Sequence, residues 1–279
     1  MSPRRLHIDE IGPWSEVKLD ILQRYASEYS KILANQKEPA LYHCYIDAFA
    51  GPGKHYSKTQ DKMVLGSPIN ALLVKPPFRE FFLIDLDGQK IEELGRVIGQ
   101  RDDVHLYRGD CNNVLLHEVF PKVQYKDFRR GLCILDPYKL NLNWSVIKSA
   151  GDMKSIDLFI NFPIMDINRN VLRRDAESAK KSDVERMNAF WGDESWRHLV
   201  YSTTGNLFGN PDKVADNDEV AEAFRERLKR VAGFKRVPKP LAMKNKNKAT
   251  VYYLFFASQK DTAENIVKFI FDQYGKWEG

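Results

Sequence analysis

Residues 42–53 read Tyr42-His43-Cys44-Tyr45-Ile46-Asp47-Ala48-Phe49-Ala50-Gly51-Pro52-Gly53. The first five are aromatic, small or β-branched and have no turn former among them, which predicts a short buried strand. That strand runs into a carboxylate, Asp47, and then into a loop carrying Gly51 and Gly53. In open α/β sheets a strand that ends in an acid and a glycine turn builds a cradle. Glycine lets the backbone approach a bound group, and a following helix N-terminus adds positive partial charge.

The spacing excludes two common cradles. A dinucleotide fingerprint needs a third glycine, but Lys54, His55 and Tyr56 follow Gly53. No G-x-x-x-x-G-K-[ST] run occurs anywhere, so there is no P-loop. Asp-x-Phe-Ala-Gly-x-Gly instead resembles the first motif of class I methyltransferases that use S-adenosylmethionine. A plain strand-turn with convenient glycines is the bland alternative for this motif taken alone.

Outward from this stretch, apolar residues from Trp14 to Leu33 recur at helical spacing and predict an amphipathic helix over 14–34, packed on the domain. The domain boundary falls near 38, with a helical segment before it and a 39–279 body after it. A polar loop, 54–66, precedes Ser67-Pro68, read as a helix N-cap with proline at the first helical position. Strands follow at Phe81–Ile84, Val104–Tyr107, Leu132–Leu135 and Ile156–Ile160, with helices near 87–98, 112–120 and 143–150 between them. This alternation predicts a mostly parallel sheet with right-handed crossovers and helices on both faces. A helical insertion occupies about 166–232, with helices at 183–192 and 216–232 and a Gly/Asn/Pro-rich loop at 203–213. A hairpin of 234–243 and 250–257 and a last helix over 261–273 complete a seven-stranded, Rossmann-like α/β order, the order of class I methyltransferases.

At 279 residues and 43% hydrophobic composition, the chain is long and apolar enough for one large α/β domain. No apolar run approaches the roughly 20 residues of a membrane span, and the polar N-terminus does not read as a signal peptide; the expectation is a soluble, cytoplasmic protein with no membrane contact. Cys44, Cys111 and Cys133 are scattered without C-x-x-C spacing, so neither a disulfide framework nor a zinc site is expected. Net charge is +5, unevenly spread: from Arg225 to Lys248 there are ten Lys or Arg and a single acid, Glu226. That run, with Arg225, Arg227, Lys229, Arg230, Lys235 and Arg236, suits a phosphate backbone, while solvated helix and loop faces are the plain reading of any smaller basic cluster.

Four carboxylates, Asp47, Asp85, Asp110 and Asp136, follow the first four strands in turn and so share one rim. Like charges gathered there raise one another's cost unless a ligand uses them. The methyltransferase resemblance implies a role for each. Gly51 and Gly53 let the backbone pass close to the methionine part of the cofactor, and Asp47 orients the loop or the cofactor's amino group. Asp85 accepts from the ribose hydroxyls and Asp110 from the adenine amine. Ala48, Phe49, Leu86, Cys111 and Asn112 lie in the same cradle.

Asp136-Pro137-Tyr138 stands where amino-methylating enzymes carry an acid or amide, prolines and an aromatic residue. The chemistry explains that set. An exocyclic base amine is a poor nucleophile because its lone pair is delocalised into the ring. Acceptors on a side chain and on a rigid proline carbonyl hold its N–H groups, and an aromatic ring stacks on the extruded base. This chain has one proline there, so the match is incomplete, and an acid-proline-aromatic turn is also an ordinary loop.

Taken in order, Tyr45-Ile-Asp-Ala-Phe-Ala-Gly-Pro-Gly, Gly66-Ser-Pro, Leu83-Ile-Asp, Gly109-Asp-Cys-Asn, Leu135-Asp-Pro-Tyr and Asn161-Phe-Pro-Ile-Met-Asp-Ile-Asn-Arg169 resemble the three-Cys-motif partner (TcmP) family over about residues 14–175. A glycine often follows the Asp-Pro-Tyr element in that family, and Lys139 replaces it here. The resemblance implies pairing with a separate three-cysteine protein, an iron–sulfur radical enzyme; the three cysteines of this chain are not that motif. Just after the fifth strand, Asn161-Phe162-Pro163 resembles a reordered amide-proline-aromatic element, and Asn168 and Arg169 are candidates for contact with a phosphate or a partner carboxylate, which makes Asn161 and Arg169 substrate candidates, with pinning of a buried loop an equal reading.

The leading expectation is an S-adenosylmethionine-dependent methyltransferase acting on the exocyclic amine of a nucleic-acid base. The alternative is a methyltransferase-like module that binds the cofactor or a partner protein and transfers nothing. A magnesium-dependent nuclease ranks below both, because the acids sit one per strand end rather than as a close cluster.

Overall fold

The computed structural model describes residues 9–175, 178–205, 211–245 and 247–275. A two-residue strand, β1 (Glu10–Ile11), leads into α1 (Pro13–Asn35), whose buried face is Ile21, Leu22, Tyr25, Ala26 and Tyr29. The strand read from the opening stretch is β2 (Tyr42–Asp47). Residues 54–66, expected as a loop, form an antiparallel hairpin of β3 (Lys54–Ser57) and β4 (Lys62–Leu65), and β1 pairs in parallel with β3.

Gly66, not Ser67, is the N-cap of α2 (Ser67–Leu72), which frees the Ser67 hydroxyl to donate to Asp47 at 2.6 Å. Next come β5 (Glu80–Asp85), α3 (Gly88–Ile98), β6 (Val104–Arg108) and a single turn, α4 (Cys111–Val114), which widens into a π turn over Leu115–Val119. β7 (Arg129–Leu135), α5 (Trp144–Met153) and β8 (Ile156–Phe162) follow. β8 runs two residues beyond the expected end, so Asn161 lies inside a strand, paired with Leu254.

The region after β8 holds α6 (Ile164–Asn170), α7 (Lys181–Trp191), α8 (Trp196–Val200), β9 (Tyr201–Gly205), β10 (Pro211–Lys213) and α9 (Asn217–Arg230). β9 and β10 pair antiparallel within the stretch expected as a loop; residues 206–210 of that loop lie outside the described residues. The final hairpin is β11 (Leu241–Lys244) with β12 (Thr250–Ala257), before α10 (Asp261–Tyr274). Its first strand is shorter than expected. Pro238 and Pro240 cannot donate to a ladder, and only Arg236 bridges to Ser258.

The main sheet has seven strands in the order β11-β12-β8-β7-β2-β5-β6. β12 is antiparallel to both of its neighbours and alone runs against the others, which makes the sheet mixed. The two-residue period of a strand divides the core into two layers. Cys44, Ile46, Phe82 and Ile84 face one, with α5, α7 and α9. Tyr45, Phe81 and Leu83 face the other, with α1, α2 and α10. Tyr25 of α1 meets Phe159 edge-on at 5.2 Å and Phe256 at 4.8 Å, so the N-terminal helix is built into the core.

A cavity at the carboxyl ends of the strands

One cavity of about 510 Å³ opens at the C-terminal rim of β2, β5, β6 and β7. Eleven of the residues expected from sequence line it: Ala48, Phe49, Gly51, Asp85, Leu86, Asp110, Cys111, Asp136, Pro137, Tyr138 and Asn161. It is the crevice that an open α/β sheet leaves for a ligand, and its size is that of a cofactor site.

The turn after β2 shows how the loop is held. Gly51 has φ +62, and a Cβ there would meet nothing nearer than His55 Cε1 at 3.8 Å, so it presents bare backbone to the cavity. Its N–H donates to Asp85 Oδ2 at 2.9 Å, and Asp87 N–H donates to Oδ1 at 2.8 Å. Gly53 does something else. It does not line the cavity; with φ +83 and a would-be Cβ 2.7 Å from Leu94 Cδ1, it is glycine for packing.

Asp47 also stands outside the lining. It is 1% exposed and accepts from Ser67 Oγ at 2.6 Å, Phe49 N at 3.1 Å and Tyr45 Oη at 3.2 Å. Burial pushes its carboxyl up to about 6 against the pull of these donors. Of its two expected roles, the geometry gives it that of orienting the loop. Asn112 is a clamp as well: its Oδ1 accepts from Asn143 N at 2.7 Å and its Nδ2 donates to Asp110 Oδ1 at 2.9 Å. Asp110 caps α4 and remains on the cavity wall. Burial raises the Cys111 thiol to about 12, so it is an inert wall residue.

Across the cavity, Asp136 follows β7. Asn161 Nδ2 donates to its Oδ1 at 2.6 Å, and Lys18 of α1 forms an ion pair with Oδ2. The Asn161 carbonyl, Oδ1, is buried and has no donor. Tyr138 is 74% exposed at the mouth. Lys139, where the TcmP family often carries glycine, takes a left-handed φ of 58. The turn therefore keeps the shape a glycine would give it, and the Lys139 ammonium lies 5.6 Å over the Tyr138 ring.

Sequence reading missed the N-terminal wall. Asp9, Ile11, Ser15, Lys18, Leu19 and Leu22 all line the cavity, as do His55, Ser67, Lys90 and Asn141. Lys18 carried a signal: it lies four residues from both Trp14 and Leu22, on the apolar face of its helix. Lys90 is paired with Asp9 at 2.5 Å and Lys18 with Asp136, whereas among the described residues Asp85 and Asp110 meet only N–H donors. The cavity thus keeps two carboxylates for a cationic or hydroxyl-bearing ligand.

The basic residues expected to grip phosphates lie off the cavity. Arg225 donates to the Val237 carbonyl and pairs with Glu222; Arg227 bonds Trp191 O, Ser195 and Asp193 and stacks over Trp144. Lys229 and Arg230 share Glu226, and Arg236 pairs with Asp261. Much of that charge is spent within the fold. Arg169 and Lys235 are exposed.

Among the described residues no group of His, Cys, Asp or Glu is placed to hold a metal ion, and no helix is long and apolar enough to cross a membrane. Cys44, Cys111 and Cys133 are free and buried.

No protein-family model and no curated protein matches the sequence. Among solved structures, the chain is similar to a Legionella pneumophila protein assigned to the family DUF519. The TM-score is 0.52 at 12% identity, over 93% of this chain and 92% of that one, which shows a shared fold. Lower likenesses are to the plantazolicin methyltransferase BamL, crystallised with a triazolic desmethylPZN analogue and S-adenosylhomocysteine (TM-score 0.38, 9% identity, 88% of each chain), and to a methyltransferase from Leishmania major dependent on S-adenosylmethionine (TM-score 0.38, 11% identity, 88% of this chain and 82% of that one).

Proposed function

We propose that the chain is a class I methyltransferase that uses S-adenosylmethionine and methylates the exocyclic amine of a nucleic-acid base. The observation that carries this reading is the union of two half-sites in one cavity. The Gly51 turn and the Asp85 and Asp110 carboxylates line it together with Asp136, Pro137 and Tyr138. The strand order, with β12 alone reversed, agrees with it.

The residues present fit the cofactor. Gly51 offers backbone without a Cβ, Asp85 keeps lone pairs for the ribose hydroxyls beside the two N–H bonds it accepts, and Asp110, on the cavity wall, would accept from the adenine amine. When bound, S-adenosylmethionine supplies an electrophilic methyl group on a sulfonium. The chain's own part is to present the acceptor. Asp136 and the Pro137 carbonyl accept the two N–H groups of the amine, and Tyr138 stacks on the base. Holding those hydrogens favours a more tetrahedral nitrogen and frees its lone pair. Asp47, through Phe49 N and Ser67, keeps the loop in register.

Arg169 and Lys235 are left to meet flanking phosphates, and the three-cysteine iron–sulfur protein implied by the TcmP resemblance belongs to the same proposal as a partner. A second reading, a cofactor- or protein-binding module without transfer, is favoured by one observation. Both oxygens of Asp136 are already engaged, by Lys18 and Asn161. Calorimetric titration with S-adenosylmethionine, then mass-spectrometric detection of methylated bases after incubation with RNA and DNA, tests the two. Transfer that is lost in Asp136→Ala with cofactor binding intact supports the enzyme. Cofactor binding with no transfer to either nucleic acid overturns the acceptor assignment.

A further inference from the structure

A second cavity, of about 440 Å³, lies at the opposite edge of the sheet, where β2, β7 and β8 begin and α1 crosses α10. Its walls include the rings of Tyr29 and Phe128. Phe128 is half-exposed and held at φ 56, and Lys154, in the same wall, is held at φ 57. Left-handed backbone at a bulky residue persists only where surrounding structure imposes it, and such positions gather at sites that use them.

Three cations and one acid line this cavity. Arg130, Lys154 and Lys260 line it, and no described carboxylate forms an ion pair with any of them. The Arg130 guanidinium lies 3.8 Å over the Tyr125 ring, and its Nη1 donates to the Arg129 carbonyl at 2.7 Å and the Tyr125 carbonyl at 3.3 Å, which fixes its plane. The lone acid, Asp157, has both oxygens engaged, by Tyr25 Oη at 2.9 Å and Ser258 Oγ at 2.6 Å. Burial pushes its carboxyl up to about 6. The cavity is of small-ligand size, apolar and aromatic within, and its cations outnumber its one acid.

We propose that this second cavity is a binding site for a small molecule that joins a flat aromatic body to a carboxylate or phosphate. The rings of Tyr29 and Phe128 take the flat body, and Arg130 with Lys260 takes the anionic group. The site shares no lining residue with the first cavity.

Fluorescence titration of the full chain with 1-anilinonaphthalene-8-sulfonate, an aromatic anion, tests it. One equivalent should bind. Arg130→Gln and Lys260→Gln should each weaken binding several-fold, and the double variant by tenfold or more. Phe128→Gly should also weaken binding while raising the unfolding midpoint, because glycine relieves the left-handed backbone; that pairing separates lost contact from lost folding. Asp85→Ala, in the first cavity, should leave probe affinity unchanged. Displacement by adenosine monophosphate identifies a phosphate ligand, and displacement by indole-3-acetate a carboxylate. Probe affinity unmoved by Arg130→Gln, Lys260→Gln and Phe128→Gly, or lost in Asp85→Ala, overturns the proposal, as does displacement by neither competitor.

Discussion

Lys18 and Asp136, 118 residues apart in sequence, form an ion pair across the first cavity, with the lysine side chain 12% and the carboxylate 34% exposed. The N-terminal helix thereby reaches the acid on which the acceptor chemistry is proposed to turn. A lone charge on a half-buried carboxylate is costly, so the pair is expected to act as a unit. Lys18→Met should destabilise the fold by on the order of 1–2 kcal/mol. Lys18→Met combined with Asp136→Asn should recover part of that loss. Chemical denaturation across the double-mutant cycle checks it; strictly additive losses would mean the two residues do not interact.

Asp85 ties the Gly51 turn to the proposed ribose position through its two accepted N–H bonds. Asp85→Ala should cost about 1.5–3 kcal/mol of S-adenosylmethionine affinity, a tenfold or larger rise in Kd by calorimetry. An unchanged Kd removes Asp85 from the cofactor site. Tyr138→Ala should leave that affinity alone and weaken nucleic-acid binding by about 1–3 kcal/mol, read by fluorescence anisotropy.

Gly53 gives a contrasting expectation. Gly53→Val meets both the left-handed φ of +83 and the Leu94 methyl. It should lower stability by roughly 2–4 kcal/mol, through backbone strain and overpacking together, whatever it does to the cavity. A variant as stable as the parent in urea would show that the loop moves freely.

The pH dependence of stability carries the signature of Asp47. Burial pushes its carboxyl up to about 6 in the fold, from an ordinary 3.8. Between those values the folded state holds a proton that the unfolded chain has lost, so its contribution falls as pH rises through that window. His43, held down at about 4 by burial, works in the opposite sense, so the total slope is muted. A difference measurement isolates the acid. Asp47→Asn should become less destabilising relative to the parent by on the order of 3 kcal/mol between pH 4 and pH 7. Parallel denaturant curves for both proteins at the two pH values check this, and a constant difference contradicts it.

The parallel half of the sheet was legible because each of its strands is a short apolar run ending in a turn, and buried parallel strands leave that trace. The acids at the strand ends followed directly. What sequence could not supply was the partner of each polar group. Asp47 and Asp85 stand at equivalent strand ends, yet one is sealed beneath the loop and the other faces the cavity; Ser67, 20 residues further along the chain, helps decide that. The 225–248 run looked like a nucleic-acid grip because its counter-charges, Glu222, Asp193 and Asp261, come from neighbouring turns and elements that linear charge counting does not join to it. The 54–66 hairpin was hidden because its strands are only four residues each, lie mostly exposed or half-buried, and reach just two residues of β1 through β3.

α1 touches both cavities: Lys18 and Leu22 line the first, Tyr25 and Tyr29 the second. At 23 residues it is one unbroken rod, seated in the core by aromatic contacts on its middle turns. A ligand that displaces this rod at one end does work at the other, and thermodynamic reciprocity then fixes the exchange. Whatever factor an occupant of the second cavity imposes on affinity at the first, an occupant of the first must return in equal measure.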